Sequence, residues 1–188
     1  MKVKIGINGL GRIGRMVLRS IFEEKYKNIK INHINNRADI KTACDLIKRD
    51  SIHGKFKGKV SVKNNKLIID GNKITYSQET DLNKITWKKY NVDIVLECTG
   101  RFNSKEKLIS HIKNGAKKVI VSAPCKGADK TIVYGVNHKN ILARDKIISA
   151  ASCTTNCLAP VVYVLNNNFG IEKGFMTTIH SYTTDQRM

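Results

Sequence analysis

The stretch INGLGRIGR, residues 7–15, follows directly on MKVKIG and sets three glycines, Gly9, Gly11 and Gly14, at the spacing G-x-G-x-x-G. Such a cluster suits a tight turn between two elements, or a turn whose backbone closely approaches the phosphates of a dinucleotide. The flanking residues separate the two readings. Val3–Asn8 reads as a buried strand. From Ile13 to Glu24 the apolar residues Ile13, Val17, Leu18 and Ile21 recur at helical spacing. Lys30–Asn35 reads as a second strand. Strand, helix and strand fit within about thirty residues, the size of a parallel crossover. The glycines fall at the strand-to-helix turn, which favours the dinucleotide reading over the plain turn.

The pattern continues in the same style. Ile40, Ala43, Cys44 and Ile47 mark a second helix. Within residues 59–76, KVSVK, KLIID and KITY are separated by the turn signals NN and GN and predict antiparallel strands. VDIVLE at 92–97 returns to a buried strand. Ser104 suits a helix cap, Leu108, Ile109 and Ile112 give that helix a buried face, and Gly115 ends it. KKVIVSAP and TIVYGVN predict further strands. The alternation predicts an α/β fold with a Rossmann-type doubly wound, mostly parallel sheet. From about residue 150 the character changes: SAASCTTNCLAPVVYVLNNNFG reads as a strand end, a polar turn and a helix, and FMTTIHSYTTDQRM opens another, strand-like segment.

Composition narrows the function classes. Of 188 residues, 41% are hydrophobic, enough for a core. No run of about 18 apolar residues predicts a membrane span, and MKVK leads into a strand-like run rather than a signal peptide. No membrane partner is expected, and a cytoplasmic location is the default. The five cysteines, Cys44, Cys98, Cys125, Cys153 and Cys157, are odd in number and contain no CxxC pair. They read as reduced thiols rather than a disulfide framework, and no metal site is expected. The formal charge of +19 invites a nucleic-acid reading. The lysines are spread along the whole chain with few aromatics between them, so no specific nucleic-acid partner is expected. What the charge implies is attraction for anions, phosphates included.

ASCTTNCLAP puts Cys153 at the predicted N-terminus of a helix, where backbone N–H groups and the helix dipole favour a thiolate. His180, at the end of a strand-like run, completes an activated nucleophile if the fold joins the two. Cys153 as a packed core thiol and His180 as a satisfied polar residue are the plainer readings. Cys157, one turn further, is expected to face the core.

These segments together resemble the phosphorylating glyceraldehyde-3-phosphate dehydrogenases. The resemblance rests on INGLGRIGR, RDSIHGKF, ECTGRF, GAKKVIVSAP, ASCTTNCLAP and TTIHSYTTDQ, in that order along the entire chain. It implies that Cys153 is the nucleophile and His180 its base. The implied reaction passes through a Cys thioester, with hydride transfer to NAD or NADP and attack by inorganic phosphate. Gly9, Gly11, Arg12, Ile13 and Gly14 match the pyrophosphate turn, Asn36 the ribose position, Thr99 and Gly100 the strand end beside the cofactor, and Ser122 the nicotinamide side. Ser152 and Thr154 match the attacking-phosphate site, and Thr183 and Asp185 part of the substrate-phosphate region. Ser152 and Thr154 equally suit a plain helix cap, and Asp185 a solvated loop charge. His53 reads as a surface turn residue, while His33, His111 and His138 carry no constellation.

The family's chains continue past the equivalent of Met188. The resemblance therefore implies a dinucleotide-binding domain over residues 1–151 and the start of an α+β catalytic domain over residues 152–188. Full-length members are homotetramers acting on glyceraldehyde 3-phosphate. This chain alone is expected to bind dinucleotide poorly, to turn over little aldehyde and not to form the tetramer. Two departures stand out: Asn36 where the family usually has Asp, and Thr80 where many relatives carry Arg. With Arg37 following, they predict that NADP is tolerated beside NAD. An erythrose-4-phosphate dehydrogenase is an alternative that shares the cysteine motif, though HSYTTDQ favours the first reading. A non-catalytic NAD(P)-binding fragment is another.

Overall fold

The structure, a computed structural model, describes residues 2–183. It opens with β1 (Val3–Asn8), α1 (Arg12–Glu23) and β2 (Ile29–Asn35). The last four residues of β1, Ile5 to Asn8, are all buried, as expected of a parallel strand covered on both faces. On α1 the buried residues Gly14 and Leu18 lie one turn apart and turn that face to the sheet. Asp39 caps α2 (Ile40–Lys48) by accepting from the Lys41 and Thr42 N–H groups. A two-residue ribbon follows, β3 (Arg49–Asp50) against β4 (Gly54–Lys55).

The predicted antiparallel segment is β5 (Val60–Lys63), β6 (Lys66–Ile69) and β7 (Asn72–Ser77). Its first turn uses Asn64 and Asn65 and its second Asp70 and Gly71, all at positive φ. Two-residue hairpins require that geometry to match the twist of their strands. β7 then runs parallel to β2. Next come β8 (Ile94–Glu97), α3 (Lys105–Lys113), β9 (Lys118–Val121), β10 (Lys130–Thr131), β11 (Ile147–Ser149) and α4 (Cys153–Phe169).

Among the described residues the main sheet runs β10-β11-β9-β8-β1-β2-β7-β6-β5. Every pairing from β10 to β7 is parallel. The chain leaves β1 for β2 on one side and returns to β8 on the other, so the strand order reverses between β1 and β8. That reversal opens a crevice at the carboxyl ends of the two strands, the usual ligand position in such sheets. One apolar cluster gathers Ile7, Leu18, Ile34, Ile47 and Leu67, all fully buried. A second gathers Trp87, Val95, Leu108, Val119 and Ile147. This is the Rossmann-type fold read from the sequence.

Two segments differ from their sequence reading. TIVYGVN continues as a strand only through Thr131. The Asn137 side chain accepts from the Val133 N–H and donates to the Thr131 carbonyl, and these bonds with Gly135 at positive φ curl the chain into a turn. The strand-like run before His180 forms no strand, because it has no pairing partner among the described residues. α4 buries none of its residues, and Val161, Val162, Val164 and Leu165 are exposed along it. No helix among the described residues is long and apolar enough to cross a membrane.

Leu18 is fully buried between α1 and the sheet. Leu18→Ala is expected to cost about 2–5 kcal/mol, a large share of the roughly 5–15 kcal/mol that holds a domain. Urea unfolding followed by circular dichroism measures it, and an unshifted midpoint would exclude this packing.

Candidate active site

The turn after β1 shows why its residues are glycines. Gly9 has φ of 94°, in the left-handed region that L side chains rarely adopt. A Cβ on Gly14 would stand 2.0 Å from the Gly9 carbonyl oxygen, so only glycine lets α1 approach the turn this closely. Gly11, by contrast, faces open space and is the N-cap of α1, with no side-chain cap bond. No acidic residue stands in the first turn of α1. The helix N-terminus thus presents backbone N–H groups and the positive end of its dipole without a competing carboxylate, an arrangement suited to a phosphate.

Arg12 lies in that first turn, but its guanidinium pairs with Asp50 at 3.1 Å. The Asp50 carboxyl is held well below the usual carboxylate range by the His53 and Ile52 N–H groups, with the His53 side chain and Arg12 adding to the effect. Arg12 and Ile13 therefore face the turn through their backbone. His53 is not a lone turn residue, since its Nδ1 stands 3.1 Å from Asp50.

A cleft of about 270 Å³ lies over this turn, lined in part by Gly9, Gly11, Asn36, Arg37, Thr80 and Thr99. Asn36 is tied into the protein: its Oδ1 accepts from the Leu10 N–H at 3.0 Å and its Nδ2 donates to the Tyr76 hydroxyl at 3.0 Å. Tyr76 in turn donates to the Ala38 carbonyl. Arg37 is exposed and makes no ion pair among the described residues. Thr99 forms the opposite wall, and its hydroxyl accepts from the Arg101 N–H across Gly100. Ser122 follows β9 at the carboxyl edge of the sheet, beside Cys98. The features of this cleft fit a dinucleotide: a turn only glycine can make, free N–H groups at its mouth and polar side chains on both walls.

The fold brings Cys153 and His180 together. Ser152 caps α4 by accepting from the Thr155 N–H, which makes Cys153 the first helical residue. Cys153 Sγ stands 3.0 Å from His180 Nε2, and His180 Nδ1 stands 2.6 Å from the Ser181 carbonyl oxygen. A carbonyl can only accept, so Nδ1 carries a proton and leaves Nε2 free to take the proton of the thiol. The Cys153 thiol is lowered from its ordinary value, chiefly by His180 and then by the Thr154 N–H and hydroxyl. His180 is raised, by the Ser181 carbonyl first and the Cys153 sulfur second. The pair is thus biased toward thiolate and imidazolium.

Both residues are exposed beside an apolar hollow of about 480 Å³ that also touches Cys157, Val161 and Met176. Cys157 does not face a core; it is exposed, because the described residues bury no part of α4. Thr183 is half-buried at the end of the described residues. Asp185 lies outside them. No group of His, Cys, Asp and Glu among the described residues is arranged to hold a metal ion.

Several residues of this region escaped the sequence reading. Asp50 holds Arg12 beside the turn, and Tyr76, Asn8, Asn35, Glu97 and His111 bond to the walls of the cleft or to one another. These bonds span 14 to 89 positions along the chain, so no local pattern marks them. The clustering of Asn8, Asn35 and Glu97 at strand ends was the available signal, since polar residues ending buried strands must find partners.

The contrast among thiols is testable. Cys98 is buried and its thiol is pushed up to about 11, chiefly by burial; Cys44 is buried and Cys125 is raised by burial. Brief iodoacetamide labelling at neutral pH is expected to mark Cys153 first. Because its thiol is lowered, its rate reaches a plateau at lower pH than that of an ordinary cysteine, and His180→Ala moves that profile to higher pH. Peptide mass spectrometry reads both, and uniform labelling of the five cysteines would contradict the pairing.

Two family models match the chain. One, described as glyceraldehyde 3-phosphate dehydrogenase, NAD binding domain, matches residues 3–105. The other, described as glyceraldehyde 3-phosphate dehydrogenase, C-terminal domain, matches residues 152–188. The chain is 50% identical over 189 residues to glyceraldehyde-3-phosphate dehydrogenase of Zymomonas mobilis, covering 100% of this chain and 56% of the relative. It is 52% identical over 187 residues to that of Mycoplasma pneumoniae, covering 99% and 55%. With that of Thermotoga maritima the identity is 50% over 185 residues, covering 98% and 56%. The chain spans about half the length of these curated relatives. It belongs to the glyceraldehyde-3-phosphate dehydrogenase family, and residues 3–105 carry that family's NAD-binding domain.

Proposed function

We propose that this polypeptide carries the cofactor site and the nucleophile for phosphorylating oxidation of glyceraldehyde 3-phosphate to 1,3-bisphosphoglycerate. The observation that carries the reading is the Cys153 Sγ to His180 Nε2 contact of 3.0 Å at the N-terminus of α4. His180 takes the thiol proton, and Sγ adds to the aldehyde carbon to give a hemithioacetal. His180, then protonated, and the N–H groups at the start of α4 stabilise the oxyanion. A nicotinamide dinucleotide supplies the hydride acceptor by which that adduct becomes a thioester. Phosphate held at Ser152 and Thr154 attacks the acyl carbon and releases the Cys153 thiolate as leaving group. Thr183 and Asp185 belong to the substrate-phosphate region. We take the division between cofactor and catalytic parts after Ala151, a reading supported by its φ of 62° where the chain turns from β11 into α4. It separates residues 1–151 from 152–188.

The Gly9–Gly14 turn would hold the pyrophosphate through the Arg12 and Ile13 N–H groups, Asn36 would face the ribose, and Thr99, Gly100 and Ser122 would line the path toward the nicotinamide. Both NAD and NADP are accepted. An amide at position 36 gives a ribose hydroxyl a neutral partner and does not repel a 2′-phosphate, and Arg37 is free to pair with one.

Because the chain alone is expected to bind dinucleotide poorly and turn over little aldehyde, the test is one prolonged turnover: incubation with glyceraldehyde 3-phosphate and a large excess of NAD is expected to leave an acyl group slowly on Cys153, seen by peptide mass spectrometry and discharged by inorganic phosphate. The adduct should be absent without dinucleotide and in Cys153→Ala. No acyl group on Cys153 would refute the catalytic reading and leave an NAD(P)-binding fragment; faster acylation by erythrose 4-phosphate would reassign the substrate.

Cofactor choice is tested separately. Hydrogen bonds to a charged group contribute roughly 1.5–3 kcal/mol, against about 0.5–1.5 for neutral ones. Asn36→Asp is therefore expected to shift the NAD to NADP affinity ratio about tenfold toward NAD. Calorimetric titration of both cofactors measures it, and an unchanged ratio would remove position 36 from the discrimination.

A further inference from the structure

Beneath the cleft lies a chain of buried polar side chains that the proposed chemistry does not use. Glu97 ends β8 and is 1% exposed. Its Oε2 accepts from Asn8 Nδ2 at 2.6 Å and faces His111 Nε2 at 3.0 Å. Its Oε1 accepts from the Thr99 N–H at 2.8 Å and from the Thr99 hydroxyl. His111, on α3, is fully buried, and its Nδ1 faces Trp87 Nε1 at 2.8 Å. An indole N–H only donates, so Nδ1 of His111 accepts and Nε2 carries the proton toward Glu97. Trp87 thereby sets the tautomer of His111, and His111 sets the rotamer of Glu97.

The two backbone segments that Glu97 holds meet at the glycine turn. Asn8 immediately precedes Gly9. Thr99 packs on Gly9 itself: a Cβ there would lie 2.8 Å from Thr99 Cγ2 and 2.9 Å from the Thr99 nitrogen. One carboxylate therefore ties the β1 side and the β8 side of the crevice where the strand order reverses. Asn35, which donates to Asn8 Oδ1 at 2.8 Å and to the Glu79 carbonyl at 2.9 Å, extends the same bracing to the segment after β7.

We propose that Glu97, oriented by His111 on Trp87, is a positioning residue for dinucleotide binding: it holds the Thr99 turn against Gly9 so that the cleft is built before the ligand arrives. The inference rests on reading the cleft as the dinucleotide site. A wall already in place has no ordering left to do on binding, so its loss appears as weaker affinity. A purely structural role would lower thermal stability and leave the affinity of the folded protein unchanged.

The experiment titrates NAD into the 188-residue chain and its Glu97→Gln, His111→Leu and His111→Gln variants by calorimetry. It also follows exchange of the Thr99 amide by NMR, and checks the fold by circular dichroism and thermal unfolding. Gln at 97 keeps the size but sets an N–H either against the donors of Asn8 and His111 at Oε2 or against those of Thr99 at Oε1. Glu97→Gln is expected to bind NAD roughly tenfold more weakly and to exchange the Thr99 amide faster than its neighbours in β8. His111→Leu should follow in the same direction, and His111→Gln, which keeps an N–H where Nε2 stood, should restore both readouts. Equal affinity and equal Thr99 exchange in folded Glu97→Gln would overturn the proposal. If Glu97→Gln does not fold, the His111 pair decides, and identical behaviour of Leu and Gln there would overturn it. If the unsubstituted chain binds neither NAD nor NADP, the reading of the cleft fails, and Thr99 exchange alone then decides whether Glu97 holds the turn.

Discussion

Where α1 meets β1, there is no room for a side chain: any atom beyond Cα at position 14 would press into the Gly9 carbonyl oxygen. The rest of the cofactor half follows from that contact. With α1 seated against the turn, its N-terminus opens at the carboxyl edge of the sheet, at the gap between β1 and β8. Gly11 adds no cap and the first turn adds no acid, so the N–H groups there stay available. The Arg12 side chain, which could have folded over them, is drawn aside by Asp50. Close packing in one place thus leaves an open, weakly positive mouth in another.

The two helix N-termini that matter are finished differently. α1 begins at a glycine without a side-chain cap, whereas α4 begins at Ser152, whose hydroxyl accepts from the Thr155 N–H. The first leaves donors for a ligand. The second uses one donor for itself and places the Cys153 sulfur at the dipole end, where a negative charge is favoured. Cys98 shows the opposite treatment of the same side chain. Enclosed at the end of β8, it becomes a poorly acidic packing residue, raised by burial. Reactivity here is a property of position, set by water access and by the neighbours that share the proton.

The buried polar row at the strand ends gives the sheet a second kind of cohesion. Hydrophobic clusters on either side of β1 are indifferent to small sliding motions. Asn8, Asn35 and Glu97 are not, because each bond has a direction, and an unmade bond in a buried site costs about 1–3 kcal/mol. A dinucleotide site assembled from the ends of several strands draws its geometry from such bonds.

The sequence alone determined the parallel crossover, because strand period, helix period and glycine spacing are local and each is written within a few residues. It also marked both hairpins, the first at Asn64–Asn65 as read and the second one residue early of the GN signal, at Asp70–Gly71, since positive φ falls on those residues. It marked Cys153 and His180 through the helix-start pattern and the family resemblance, but the 3.0 Å contact between them belongs to the tertiary structure. TIVYGVN shows the limit from the other side: its β-branched residues predict a strand, and the side chain of Asn137 bends it away. His33 and His111 looked equally unremarkable in the sequence, yet one stacks on Tyr90 while the other joins Trp87 to Glu97. Only the fold could assign those partners, since a hydrogen bond between Asn8 and Glu97 spans 89 positions and leaves no periodic trace. Local preferences are encoded residue by residue; the pairing of buried polar groups is decided by which strands lie side by side.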